Sequence, residues 1–140
     1  MRLVIDTNRI IAAMLKDSVS RMIILHDMFN FYTPDYVITE INRYQNYLCE
    51  KARLSITDYN VILYTILENI ELVPYSLFEK YMDEANRLMK NIDVKDSPFI
   101  AVGIAIKADG IWSEDKHLHK QNRLKVYSTK DLIDILREKE

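Results

Sequence analysis

The most constraining feature of this sequence is an unbroken apolar run near its start that ends in an acid. Leu3, Val4 and Ile5 are followed directly by Asp6. A short apolar run without alternation is typical of a strand buried on both faces, as at the centre of a parallel sheet. Apolar residues then recur at helical spacing, which predicts a helix over residues 9–16. Asp6 would therefore lie at the carboxyl end of a central strand, where open α/β sheets bind ligands.

Asp6 has a simpler alternative role in capping this helix. Thr7 or Asn8 can accept hydrogen bonds from the free amide groups of the first turn, and an Asp can do the same. Capping does not require an acid directly after three buried residues, so we favour a functional site.

Strands and helices are predicted to alternate along the whole chain. Strand-like runs recur at residues 31–33, 70–73, 111–113 and 124–127, and helical patterns include 35–48, 76–91 and 99–107. Alternation of this kind predicts a three-layer α/β/α sandwich with a central, mostly parallel sheet. The hydrophobic content of 49% is sufficient for a core, and we expect one domain spanning residues 1–140.

Composition excludes several classes of protein. The two glycines, Gly103 and Gly110, cannot supply a glycine-rich phosphate-binding loop. Cys49, the single cysteine, cannot form an intramolecular disulfide. The sequence has no apolar run of about 18 residues and no signal-peptide pattern, so a soluble cytoplasmic protein is expected, with no membrane association.

Three further acids follow or begin predicted elements at the same edge of the sheet. Asp115 follows a short apolar strand, Asp96 precedes the most apolar helix, and Glu40 lies one turn into the helix after the second strand. Because the carboxyl ends of parallel strands share one edge, we expect these acids to meet Asp6 there. For Glu40, a surface ion pair with Arg43 three residues later is an equally good interpretation.

A cluster of carboxylates requires compensation. Two like charges about 4 Å apart repel by roughly 4 kcal/mol at an effective dielectric constant near 20. Raised pKa values or a bound cation must offset this repulsion. Oxygen ligands suit Mg²⁺ or Mn²⁺, whereas only three histidines are present, so a zinc site is not expected.

Together these motifs resemble the PIN domain family, which includes VapC-type toxin ribonucleases. The resemblance covers the whole chain and depends on four segments: Asp6-Thr7-Asn8, Glu40, Asp96 before Pro98-Phe99-Ile100-Ala101, and Trp112-Ser113-Glu114-Asp115. It implies an α/β/α fold and metal-dependent cleavage of RNA, with Mg²⁺ or Mn²⁺ as cofactor.

The resemblance also implies roles for individual residues. Asp6, Glu40, Asp96 and Asp115 would be the catalytic acids, of which Asp6, Asp96 and Asp115 hold the metal. Ser113 would orient an acid or a bound water, and Asn8 would hold the loop around Asp6. Asp93 is either a supporting acid or a solvated one, and we favour the solvated position; Glu114 is expected to point away from Asp115.

Any nucleic-acid contact must be local, because the formal net charge is only −2. Arg9, Lys116 and Lys120 are candidates for binding a single-stranded RNA backbone. The plain alternative is a solvated loop for the two lysines and a side chain that faces solvent for Arg9. The family resemblance further implies a homodimer and a possible antitoxin partner, although no antitoxin-binding feature is identifiable in the sequence.

Two other functions compete with a ribonuclease. One is a non-catalytic PIN-like module that binds RNA or protein, against which the complete set of four acids argues. The other is a haloacid-dehalogenase-type phosphatase, which also begins with a strand ending in Asp. That chemistry uses a second Asp two positions later, where this chain has Asn8.

Overall fold

The computed structural model describes residues 1–15 and 18–139, and it is built around an all-parallel sheet. The five strands lie in the order β3-β2-β1-β4-β5. They are β1 (Arg2–Ile5), β2 (Asn30–Pro34), β3 (Ile70–Val73), β4 (Gly110–Trp112) and β5 (Val126–Tyr127). Leu3, Val4 and Ile5 of β1 are fully buried, so the predicted central strand is confirmed.

Helices form a layer on each face of this sheet. They are α1 (Thr7–Leu15), α2 (Ser18–Leu25), α3 (Val37–Arg43), α4 (Gln45–Ala52), α5 (Ile56–Leu67), α6 (Tyr75–Phe78), α7 (Met82–Met89), α8 (Ser97–Ala105) and α9 (Thr129–Glu138). Helices α1 to α5 contact one another, whereas α6 and α7 pack on α8, which lies against β1 and β2. The predicted three-layer α/β/α sandwich is therefore confirmed. None of the helices in the described ranges combines the length and apolar character needed to cross a bilayer.

The strand order places a topological switch at the centre of the sheet. The chain runs outward from β1 through β2 to β3, then returns to form β4 on the other side of β1. Leu3, Val4 and Ile5 pair in register with Gly110, Ile111 and Trp112. The loops after β1 and β4 therefore emerge side by side, at the position where open α/β sheets form a ligand-binding crevice.

Several predicted helices have different boundaries in the structure. The pattern over 35–48 is divided at Tyr44, whose N–H bonds to the carbonyl of Ile41 three residues back, which tightens the turn and ends α3. The pattern over 76–91 becomes α6, a 3₁₀ turn at Glu79–Tyr81, and α7. The first helix begins at Thr7 instead of Arg9, and its predicted end at Lys16 lies outside the described residues.

Helix α8 is a rigid support for the residues that precede it. Phe99 to Gly103 are all buried, as an apolar pattern on every side of a helix predicts. A Cβ atom at Gly103 would collide with the side chain of Leu124, so glycine permits the close approach of the segment before β5. The start of α8, and with it Asp96, is thereby fixed relative to the sheet.

Candidate active site

Asp6 has two structural partners and is almost completely buried, with 6% of its surface exposed. Its Oδ1 atom accepts a hydrogen bond from the N–H of Arg9 at 2.9 Å, so Asp6 itself caps α1. The prediction that Thr7 or Asn8 caps this helix was wrong, because α1 already begins at Thr7. The Oδ2 atom of Asp6 accepts a hydrogen bond from the Ser113 hydroxyl, so the carboxylate is also held from the next strand.

Ser113 connects the ends of β1 and β4. It is fully buried, and while its hydroxyl donates to Asp6, its Oγ atom accepts from the N–H of Asp115 at 2.9 Å. Asp115 in turn accepts a hydrogen bond at Oδ1 from the N–H of His117 at 2.8 Å. A single hydroxyl group therefore fixes two acids that are far apart in sequence.

Asp96 is brought to the same place by the 3₁₀ turn Val94–Asp96, which leads into α8. Its Oδ2 atom is shielded from solvent and has no hydrogen-bond partner among the described residues. The pKa of Asp96 is raised to about 7, first by burial and then by the neighbouring carboxylates of Asp115 and Asp93. This side chain is thus poorly compensated in the metal-free protein.

All four predicted acids line one cleft of about 390 Å³ at the carboxyl edge of the sheet. Its lining residues are Asp6, Thr7, Asn8, Tyr36, Glu40, Lys95, Asp96, Phe99 and Asp115. Burial raises the pKa of Glu40, and the charge of Arg43 opposes this shift. No salt bridge between Glu40 and Arg43 is found in the described chain, so the surface ion pair considered for Glu40 is not formed there.

The charges of these acids are not balanced by lysine or arginine pairs. Burial raises the pKa of Asp6 even though Ser113 and the N–H of Arg9 donate to it. Over residues 1–15 and 18–139, the one salt bridge to any of the four acids is that of Asp115 Oδ1 with His117 Nδ1, at 3.3 Å. Carboxylate oxygens without lysine or arginine pairs, one of them lacking any hydrogen bond, suit a hard divalent cation such as Mg²⁺ or Mn²⁺.

A sequence model of the PIN domain matches residues 4–132 of the chain. The chain belongs to the PIN domain family. PIN domains are generally nucleases that use divalent metal ions, and such nucleases bind nucleic acid. A search of curated proteins finds no significant match to the sequence.

The basic residues expected to bind RNA lie in different places in this PIN domain. The Arg9 guanidinium is close enough to lower the pKa of Asp6, and its Nε atom is shielded without a partner among the described residues. Lys116 and Lys120 are exposed and neither lines the acidic cleft. Lys95, which the sequence interpretation did not select, is the lysine on the lining of this cleft. The sequence signal that could have identified Lys95 is its position directly before Asp96.

Among the supporting residues, Asn8 lines the cleft, but its side chain makes no hydrogen bond to the Asp6 loop in the described structure. Glu114 points away from Asp115, as expected, because its carboxylate accepts from the N–H of Thr129 at 2.6 Å. The side chain of Asp93 is 30% exposed, so the favoured solvated position of Asp93 stays a prediction. Its Oδ2 atom lies 3.5 Å from His117 Nδ1, and its charge acts on Asp96.

Proposed function

We propose that this PIN domain is a Mg²⁺- or Mn²⁺-dependent endoribonuclease that hydrolyses single-stranded RNA. The observation that carries the proposal is the convergence of Asp6, Glu40, Asp96 and Asp115 on one cleft without lysine or arginine partners in the described chain. These acids come from four separate segments of the fold. Raised pKa values or a bound cation must offset such a concentration of negative charge, and a divalent ion offsets it without protonating the acids.

Asp6, Asp96 and Asp115 are the residues proposed to hold the ion. Their carboxylates interact electrostatically with one another, and Ser113 fixes two of the three. A divalent ion bound there supplies Lewis acidity, which activates water and offsets the charge that develops on a phosphodiester. Burial and the repulsion between carboxylates raise the pKa values of Asp6 and Asp96, and a bound ion would lower them because it stabilises the charged carboxylates.

Glu40 is proposed as the acceptor of the proton from water. It lies on α3, a different element from those that carry the other acids, and lines the same cleft. Burial raises its pKa, which brings a carboxylate closer to the range in which it works as a base near neutral pH. Lys95 on the lining of the cleft would contact the RNA backbone, with Arg9, Lys116 and Lys120 as more peripheral contacts.

The proposal is tested by following cleavage of labelled single-stranded RNA by the purified chain after removal of metals. We expect no cleavage in chelator, cleavage on addition of Mg²⁺ or Mn²⁺, and its loss in Glu40→Gln. Cleavage that persists in chelator, or in Glu40→Gln and Asp6→Asn alike, would contradict these roles. Binding of RNA without cleavage under any metal would instead support the non-catalytic module.

The proposal extends to a toxin of a toxin–antitoxin pair that acts as a cytoplasmic homodimer. Its support is the resemblance of the four acidic motifs to VapC-type proteins. Induced expression in a bacterial host is expected to arrest growth, and Asp6→Asn is expected to relieve the arrest. Unimpaired growth with an active nuclease would contradict the toxin role alone, and a monomer in light scattering would contradict the dimer alone.

A further inference from the structure

We propose that Asp93, Asp96 and His117 form a second cation subsite beside the four-acid cluster, and that this subsite takes a divalent transition-metal ion in preference to Mg²⁺. The inference deepens the proposed function and rests on it in one respect, since Asp96 is taken there as a ligand of the first ion. Asp93 and His117 have no role in that function.

The three side chains are close enough to contact one ion. One donor atom from each, two carboxylate oxygens and one imidazole nitrogen, lie within 4.8 Å of one another. Two ligands of the same ion are separated by at most twice the metal–ligand bond length, which is about 4–5 Å for bonds of about 2.1–2.5 Å. Small side-chain movements are therefore sufficient, and no backbone change is needed.

Each residue has a donor atom available for the ion. Asp93 uses Oδ1 to accept from the N–H of Lys95 at 3.1 Å, which leaves its Oδ2 atom facing His117. Asp96 contributes an Oδ2 atom that is shielded from solvent and has no partner among the described residues. His117 Nδ1 lies 3.5 Å from Asp93 and 3.3 Å from Asp115, between two carboxylates.

Two of the three side chains of the subsite are accessible from solvent. The side chain of His117 is 47% exposed and that of Asp93 is 30% exposed. No lysine or arginine forms a salt bridge with Asp93 or Asp96 within the described ranges. An entering ion would replace only the contacts of His117 Nδ1 with Asp93 and Asp115.

The imidazole determines which ion is preferred. Mg²⁺ selects oxygen ligands and strict octahedral geometry, whereas imidazole nitrogen suits transition metals. The inner cluster offers only carboxylate oxygens and accepts Mg²⁺ or Mn²⁺. The outer subsite, with one nitrogen and two oxygens, is expected to hold Mn²⁺ or Co²⁺ and to bind Mg²⁺ poorly.

The test counts ions bound to the metal-free full-length chain by calorimetric titration with Mn²⁺. We expect two ions per chain for the natural sequence, and one for both His117→Ala and Asp93→Asn. His26→Ala is the matched control and is expected to keep two, since His26 contacts Met28 and lies outside the acidic cleft. Excess Mg²⁺ should displace one of the two Mn²⁺ ions.

A second measurement guards against variants that merely fold poorly. X-ray absorption of the Co²⁺-loaded chain should show imidazole scattering in the natural sequence and in His26→Ala, and none in His117→Ala. A single Mn²⁺ ion in the natural sequence, or two in His117→Ala, would overturn the subsite. A chain that cleaves RNA but binds one ion rejects the subsite alone, whereas a chain that binds both ions without cleaving RNA rejects the nuclease alone.

Discussion

Two aspartates at the starts of helices show how differently this chain uses the same local motif. Asp131 lies in the first turn of α9 and forms a capping box with Ser128, in which each side chain accepts from the other residue's N–H. Asp6 caps α1 in a similar way, through the N–H of Arg9. Hydrogen bonds from the backbone lower the pKa of Asp131, whereas burial raises the pKa of Asp6.

The difference lies in what surrounds each cap. Asp131 is exposed to solvent, and the charges of Lys130 and Lys125 help to lower its pKa. Asp6 is almost completely buried, and the charge of Asp115 raises its pKa further. A cap alone requires neither burial nor a second acid. The unfavourable surroundings of Asp6 therefore indicate a function beyond holding a helix end.

The largest effect is expected from removing the charge while keeping the cap. Asn caps helices about as well as Asp, so Asp6→Asn should fold normally. We expect the rate of RNA cleavage to fall by a factor on the order of 100 or more, because a proposed ligand of the metal is lost. Asp131→Asn is the matched control and should leave the rate unchanged. Circular dichroism checks that both variants are folded. Equal rates of RNA cleavage in the two folded variants would contradict a functional difference between the two caps.

A smaller loss is expected when the partner of each aspartate is truncated. Ser113→Ala removes the donor to Asp6 and the acceptor for the N–H of Asp115, and we expect cleavage or metal affinity to fall roughly 10- to 100-fold. Ser128→Ala should instead cost about 1 kcal/mol of unfolding free energy and leave cleavage intact. Denaturant unfolding and cleavage assays on both variants provide the comparison. Loss of activity in Ser128→Ala would contradict it.

Stability in the absence of metal should depend on pH in opposite directions at the two sites. The pKa of Asp96 is raised to about 7 in the folded chain, so its contribution to stability is present at low pH and is lost as pH rises from about 4 to 7. With allowance for solvent screening of this half-buried group, the free energy of unfolding of Asp96→Asn should be about 1–2 kcal/mol higher than that of the natural sequence near pH 8. Near pH 4 the two free energies should be equal.

The pKa of Asp131 is lowered, so its contribution is present above the usual Asp range and is lost as pH falls through its lowered value. Asp131→Asn should therefore be less stable than the natural sequence at neutral pH, and the difference should disappear in acid. Urea titrations in chelator measure both curves. The same sign of pH dependence for the two variants would contradict the assigned causes.

The smallest effect is expected at the lysine of the cleft. Lys95→Met should raise the KM for RNA several-fold, with little change in kcat. It should also reduce the slope of log KM against log salt concentration by about one, which is the change expected for the loss of one phosphate contact. Lys130→Met on α9 is the control, because Lys130 pairs with Asp134 on its own helix and lies away from the cleft. An unchanged salt dependence in Lys95→Met would exclude a direct contact with the RNA backbone.

The central features of this molecule could be predicted because they depend on local sequence. The run from Leu3 to Ile5 predicted a buried strand, and the parallel arrangement then placed Asp6 and Asp115 at one edge. The same edge includes Asp96 and Glu40, and all four acids line one cleft. The roles assigned to these acids, and to Asn8 and Ser113, stay predictions.

Other features could not be predicted because they depend on where loops meet in space. The contact of Asp93 with His117 joins segments that precede α8 and follow β4, and neither segment has a regular pattern. The division of the predicted helix at Tyr44 depends on a single tightened turn. The sequence also does not show that Asp6 can both cap α1 and line the acidic cleft, which is possible because its two carboxylate oxygens have different partners.

The pairing of β1 with β4 has a consequence for synthesis of the chain. Asp6 leaves the ribosome before the serine that holds it, which is 107 positions further along. An incomplete nascent chain therefore contains the first acid without the strand that positions it. Asp6 can be held in place only after β4 and Ser113 have been synthesised and have folded against β1.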